Sequence, residues 1–196
     1  MKEPELVKDI VQQVKRRTCS VKMTNGKSFP CSIKIRIHDD LSRTIDLAKR
    51  AEAVGADWVA VHGRTSKQRN TEPVDYEAIK MIKESLGIPV IVNGDINNLA
   101  ESNAIIARTN ADGVMAARGL LQNPAMFTGV EHTPVECVKK YMVLAIASGT
   151  THFIFHHHLM YMLESSMSRA EKRMFNILYS IPSILDYMEE HYGIFI

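Results

Sequence analysis

Four times in the N-terminal part of the chain, apolar residues at helical spacing give way to a short apolar run. From Pro4 to Arg17, Leu6, Ile10, Val11 and Val14 mark one helix face, with Pro4 suited to a first turn. Residues 18–30 are polar, contain Asn25-Gly26 and Pro30, and read as a loop or turn. Cys31-Ser32-Ile33-Lys34-Ile35-Arg36-Ile37 alternates with the period of a strand, which puts Lys34 and Arg36 on one side. Asp39 and Asp40 can cap a helix carrying Leu41, Ile45, Ala48 and Ala51, with Gly55 to end it. Trp58-Val59-Ala60-Val61 predicts a strand stopping at His62-Gly63-Arg64-Thr65. Asp75 can cap a third helix with Ile79, Ile82 and Leu86, closed by Gly87; Ile88–Val92 predicts a strand stopping at Asn93-Gly94-Asp95. A fourth helix opens on Asn98 with Glu101 at capping-box spacing and leads to a strand over Asp112–Ala116, then Ala117-Arg118-Gly119.

Strands alternating with helices of this length imply right-handed crossovers and parallel strands covered on both faces, so the fold class is α/β. In that class the polar residues at the C-terminal strand ends line the ligand site. Each predicted strand ends in such a cluster: Lys34/Arg36, His62/Arg64, Asn93/Gly94/Asp95 and Arg118/Gly119, all expected on one rim. Beyond Asn123-Pro124 the strand signal ceases. Residues 134–148, 153–167 and 169–192 carry helical spacing, which predicts a small all-α domain over 131–196 behind an α/β domain over 1–130.

Composition narrows the class more than the function. The 196 residues are 45% hydrophobic and 23% charged, which describes a folded globular protein rather than a disordered or fibrous one. A net charge of +2 does not announce a nucleic-acid binder, so RNA contacts must come from local clusters. Two are available: Lys67 and Arg69 beyond Arg64, and Arg169, Lys172 and Arg173 in one basic turn. Each of these charges also fits a plain solvated surface. Cys19, Cys31 and Cys137 are odd in number and widely spaced, which fits neither a disulfide framework nor a zinc site and points to a reducing compartment. His156-His157-His158 suggests a metal, but adjacent residues on a helix do not converge, and no metal is expected. No stretch approaches the roughly 18 apolar residues of a membrane span, and the N-terminus has neither a signal core nor a presequence pattern. A cytoplasmic or nuclear location without a membrane partner is expected.

The candidate chemistry lies at the strand ends. Gly94 and Gly119 would let backbone N–H groups approach a phosphate, and Arg118 adds a charged donor, although either glycine alone could merely relieve a turn. Lys34, at the mouth of a strand, could neutralise an electron-rich ring such as a reduced flavin, or could be an ordinary snorkelling lysine. His62 could be a ligand or acid, or a satisfied histidine at a strand end.

Ser32-Ile33-Lys34-Ile35-Arg36, Val61-His62-Gly63-Arg64-Thr65, Val92-Asn93-Gly94-Asp95-Ile96 and Asp112–Gly119 resemble, in order and spacing, the four successive C-terminal-half motifs of the tRNA-dihydrouridine synthases. Asn123-Pro124-Ala125-Met126-Phe127 and His156–Met162 resemble the helical tRNA-binding domain of the eukaryotic type that modifies positions 20a and 20b. The resemblance implies the C-terminal half of a TIM (β/α)8 barrel followed by that small all-α domain. It also implies FMN at the mouth of the barrel, NADPH as reductant, and hydride transfer to a flipped-out uracil of tRNA. By the same resemblance Lys34 contacts the flavin ring and His62 borders it. Asn93, Gly94 and Asp95 with Ala117, Arg118 and Gly119 match the ribityl-phosphate segment, while Arg36 and Arg64 fit substrate contacts. Ala117 stands where the family has Gly, a change that backbone phosphate binding tolerates if φ is negative.

The family's Asn-x-Gly-Cys-Pro loop, with its proton-donating cysteine, would precede residue 1, and none of the three cysteines stands in such a motif. The sequence therefore predicts a catalytically incomplete chain with no catalytic residue of its own. Four parallel strands would also leave two unpaired edges, so a complementing chain is expected as a partner. Two other readings stay open: a non-catalytic RNA-binding paralogue or isoform, and another FMN-dependent TIM-barrel oxidoreductase, of dihydroorotate dehydrogenase type.

Overall fold

The computed structural model describes residues 3–196. They divide into two compact units: residues up to Ile96 with Glu101–Ala116, and Asn97–Ala100 with Ala117–Ile196.

The first unit is built on a parallel sheet. Helix α1 (Pro4–Thr18) precedes β1 (Ser32–Arg36), α2 (Leu41–Ala53) precedes β2 (Trp58–His62), and α3 (Tyr76–Ser85) precedes β3 (Val90–Asn93). Helix α4 (Leu99–Thr109) precedes β4 (Gly113–Met115). The strands lie in the order β1-β2-β3-β4, every pair parallel. Val59, Val61, Val90 and Val92 are fully buried, as expected of strands covered on both faces. In β1 the alternation is visible as exposed Ser32, Lys34 and Arg36 against buried Ile35.

Local signals explain the helices. The Asp40 side chain accepts the Ser42 N–H at 3.0 Å, and Asp75 accepts that of Ala78 at 2.8 Å. Gly55, at φ +94°, lets the chain leave α2, whereas Gly87 is not the cap of α3, which closes at Leu86 in extended geometry. The loop at 18–30 makes one antiparallel bridge, Lys22 to Ser28, around Gly26 at φ +77°.

The strand entrances are clamped by carboxylates. Asp57, immediately before β2, accepts the Cys31 N–H at 2.6 Å and the Lys15 ammonium at 3.0 Å. Asp112, immediately before β4, accepts the Val90 N–H at 2.7 Å and pairs with Lys83 at 2.8 Å. Glu52 takes the N–H groups of Gly87 and Ile88 at 2.7 and 3.0 Å. Burial pushes the Asp57 carboxyl up, but the Cys31 N–H and Lys15 outweigh it and hold it below the usual carboxylate value. At Asp112, burial is likewise outweighed by Lys83 and the Val90 N–H.

The second unit is helical. Short α5 (Arg118–Gln122) and a 3-10 turn (Met126–Thr128) lead to α6 (Val135–Ala147), α7 (His152–Leu163), α8 (Arg169–Asn176) and α9 (Ile181–Tyr192). Met142, Phe155, Leu159, Phe175, Ile184 and Met188 form its fully buried centre. The stretch 169–192, expected as one helix, is two. Ser180 accepts the Ser183 N–H at 3.2 Å and Pro182 occupies the first turn, a start signal that overrides the apolar spacing running through Ile177 and Leu178. The helix expected over 153–167 ends at Leu163, because Ser168 and Glu171 form a complete capping box that starts α8. Among the described residues, no helix is long and apolar enough to cross a membrane.

Candidate functional site

Strand register aligns the chemistry of the first unit. Arg36 sits opposite His62 and His62 opposite Asn93, so three polar residues form one row across the C-terminal ends of β1, β2 and β3. Asn93 closes the row against the last strand by donating from Nδ2 to the Met115 carbonyl at 2.5 Å. Lys34 stands two residues before Arg36 on the same exposed face. The Arg36 guanidinium donates to the Thr65 carbonyl at 2.9 Å, which ties β1 to the loop after β2.

His62 is the electrostatic centre of the rim. Its burial, followed by the charges of Arg36, Lys34 and Arg64, lowers its pKa to about 4 against the opposing pull of Asp95. Its Nδ1 accepts the Arg64 N–H at 3.2 Å, which fixes the neutral tautomer with the proton on Nε2. The ring is therefore a hydrogen-bond donor at neutral pH and carries no charge.

Beyond Asn93 the backbone turns through Gly94 at φ +129° and Asp95 at φ +44°. A Cβ on Gly94 would fall 2.9 Å from Val74 Cγ2 and 3.5 Å from His62 Cε1, so glycine is required there by both conformation and space. The turn is held from two sides. Tyr76 donates its hydroxyl to the Gly94 carbonyl at 2.9 Å, and both Asp95 oxygens accept from the Arg64 guanidinium. Arg64 also donates from Nε to the Glu72 carbonyl at 2.6 Å and is 2% exposed. Arg64, a substrate-contact candidate by resemblance, joins the loop at 63–75 to the end of β3 through these bonds.

Lys67 and Arg69 are exposed in that loop, with Lys67 paired to Asp39 at 3.0 Å. Lys67 also lines a cleft of about 290 Å3, together with Arg36, Ile37, His38, Asp39, Asp40, Arg43, Thr65 and Ser66. Nothing in the spacing marks Tyr76 as a rim residue, because its hydroxyl donates to a carbonyl 18 positions away. Asp39, a capping candidate by sequence, lines this cleft and leaves the cap to Asp40.

Ala117, Arg118 and Gly119 belong to the second unit, where Ala117 precedes α5 at φ −121°, the negative value that an alanine tolerates. On α8, Arg169 and Arg173 are exposed and Lys172 is half-buried. The three adjacent histidines diverge. His156 reaches the Phe175 carbonyl at 3.0 Å, His158 lies against Tyr141 at 5.4 Å, and His157 sits between Phe153 and Tyr161. Among the described residues no group of three or more metal-ligating side chains occurs. Cys31 stands at a strand entrance, opposite the rim, where burial pushes its thiol up; Cys19 caps the end of α1, and Cys137 packs against the helical core.

The sequence pattern of the dihydrouridine synthase (Dus) family matches residues 1–191. A tRNA-dihydrouridine(20a/20b) synthase-like protein of Homo sapiens is 52% identical over 192 residues, covering 98% of this chain and 58% of the relative. Its counterpart in Mus musculus is 52% identical over 97% of this chain and 57% of the relative. A tRNA-dihydrouridine(20a/20b) synthase of Schizosaccharomyces pombe is 38% identical over 97% of this chain and 56% of its own length. The chain thus spans somewhat more than half the length of these relatives. A solved mandelate oxidase shares 14% identity at a TM-score of 0.37 over 69% of this chain and 48% of its own, too little to bear on fold or function. With the family pattern along nearly the whole chain and half its residues shared with two of these relatives, the chain belongs to the dihydrouridine synthase family.

Proposed function

We propose that the chain serves FMN-dependent, NADPH-driven reduction of uridine to 5,6-dihydrouridine in tRNA. In this reading β1–β4 are four strands of a (β/α)8 barrel in residues 1–130, and residues 131–196 form a helical tRNA-binding domain. The reading places the protein where tRNA is found, in cytoplasm or nucleus, and a complementing segment or chain would cover the outer sheet edges.

The observation that carries the proposal is the rim itself: a neutral His62 held among Lys34, Arg36 and Arg64, continued by Asn93 and a Gly94 with no room for a Cβ. Fixed cations suit both a phosphate and a ring that gains negative charge on reduction, and bare backbone at Gly94 suits close approach of an anion. These residues fit FMN. Lys34 would neutralise the ring, and His62 would donate from Nε2 without competing for a proton at neutral pH. Asn93, Gly94 and Asp95 would meet the ribityl phosphate. When bound, FMN supplies a hydride carrier between NADPH and the uracil. Arg36, Lys67, Arg69, Arg169, Lys172 and Arg173 would meet RNA phosphates. Arg64, already engaged by Asp95, acts as a positioning residue for the Gly94-Asp95 turn.

A second reading, RNA binding without reduction, is favoured by the exposed cations Arg169 and Arg173 on α8, which need no cofactor to meet phosphates. One experiment separates the two. The purified chain is titrated with FMN by flavin fluorescence and with tRNA by gel shift over a salt series. Saturable binding of both is the expected result. Salt-dependent tRNA binding without flavin uptake supports the second reading, and flavin uptake without tRNA binding overturns the role given to the helical unit.

A further inference from the structure

We propose that the helical unit carries a stacking site for one unpaired nucleobase of the bound RNA, formed by His157 and Tyr161 on the outer face of α7. The proposal rests on the tRNA-binding reading above and adds a particular contact to it.

Helix α7 buries Phe155, Leu159, Met162 and Leu163 in the core. Phe153, His157 and Tyr161 follow one another at four-residue steps on another face, so they form a stripe along the helix. Their rings are ordered: Phe153 stacks on His157 at 5.2 Å and 22°, and Tyr161 meets His157 edge-on at 5.5 Å and 82°. Phe153 is 66% exposed, and core packing gives no reason to present such a stripe to water.

The stripe runs into a hollow of about 210 Å3 lined by His157, Met160, Tyr161, Glu164 and Asn176. That volume is below the range of drug-sized ligand sites and suits a single planar ring. Aromatic faces supply stacking, and the Asn176 amide and Glu164 carboxylate supply the donor and acceptors that the edge of a base requires. Lys172 and Arg173 precede Asn176 by four and three residues on α8, which puts both cations on the side of that helix that lines the hollow. Planar aromatic surface, base-edge polarity and flanking positive charge together match a splayed nucleotide and its phosphate. An apolar protein partner would have no use for the cations.

The test measures binding of an unmodified tRNA transcript to the purified chain by fluorescence anisotropy across a salt series. His157→Ala and Tyr161→Leu are expected to weaken binding on the order of five- to a hundredfold at fixed salt without changing the salt slope. Tyr161→Phe should bind like the parent, since it keeps the ring face. Lys172→Ala and Arg173→Ala should each reduce the salt slope by about one. Parent-like affinity of a folded His157→Ala, checked by its circular-dichroism melt, overturns the proposal; His157 is exposed, so this variant decides even if Tyr161→Leu misfolds. If the parent itself fails to bind tRNA at any salt, the tRNA reading falls and takes the stacking site with it. If the parent binds and the aromatic variants match it, only the stacking site falls.

Discussion

Arg64 and Asp95 lock the loop after β2 to the turn after β3, and they are unequal partners: the Arg64 side chain is 2% exposed and that of Asp95 37%. Removing one charge strands the other, and a stranded charge costs more where water cannot reach it. Asp95→Asn, which keeps both shape and tolerance of a positive φ, is expected to cost about 2–4 kcal/mol because it leaves the buried guanidinium without a counter-charge. Arg64→Met should cost about 1–2 kcal/mol, since its stem still packs and the Asp95 carboxylate, 37% exposed, already meets water. Guanidinium chloride midpoints of the two variants check the order; a larger loss for Arg64→Met would contradict it.

The neutral state of His62 makes stability depend on pH in a definite window. Its folded pKa of about 4 lies below the ordinary 6.5, so the group stabilises the fold fully above pH 6.5 and loses that contribution as pH falls from 6.5 towards 4. Allowing for partial solvent screening, the loss is about 1–2 kcal/mol. His62→Gln should not show this component, so the difference in unfolding free energy between parent and variant shrinks by that amount between pH 7 and pH 4. Proton NMR of the imidazole gives an independent reading: titration near 6.5 would mean that neither burial nor the cations of the rim act on the ring.

Three glycines separate conformational strain from lack of space. A Cβ at Gly63 would lie 2.7 Å from the Asp75 carbonyl oxygen, which is backbone and cannot swing away. At Gly94 the obstacle is the Val74 side chain together with φ +129°, and at Gly26 there is only φ +77° in open space. Thermal melts should therefore rank the alanine variants Gly63 and Gly94 well above Gly26, at about 2–4 kcal/mol against about 1 kcal/mol. A loss of flavin binding specific to Gly94→Ala would in addition support the phosphate role proposed for that turn.

The hydrophobic pattern made the sheet legible because β2 and β3 are apolar until polar residues begin, whereas β1 shows itself by alternation. The same stops located the rim residues. What spacing cannot carry is which of them touch. Arg64 reads like Arg36, an arginine at or just beyond the C-terminal end of a strand, yet its carboxylate partner lies 31 positions away and turns it inward. Asp57 and Asp112 were similarly silent, since their role depends on N–H groups 26 and 22 positions earlier. The break between α8 and α9 was visible in Ser180 and Pro182, but apolar positions on both sides of it kept the helical period apparently intact.

In the helical unit the Tyr187 hydroxyl is buried with no hydrogen-bond partner among the described residues, and burial raises its pKa. An unsatisfied hydroxyl is a cost that the ring itself does not need. Tyr187→Phe is expected to raise unfolding stability by about 1 kcal/mol, measured by urea denaturation. A loss of stability would reveal that the hydroxyl has a partner in solution.

The aspartate clamps at the entrances of β2 and β4 are one construction used twice. In each, a lysine late in a helix, the N–H that opens the next strand and the aspartate immediately before the strand after it come together, as Lys15, Cys31 and Asp57, and again as Lys83, Val90 and Asp112. Each pair of strands thus arrives with its own fastening, independent of the ligand chemistry at the other end. Between the two pairs the fastening is of another kind: Glu52, late in α2, takes the N–H groups of Gly87 and Ile88 just before β3, with no aspartate and no lysine involved.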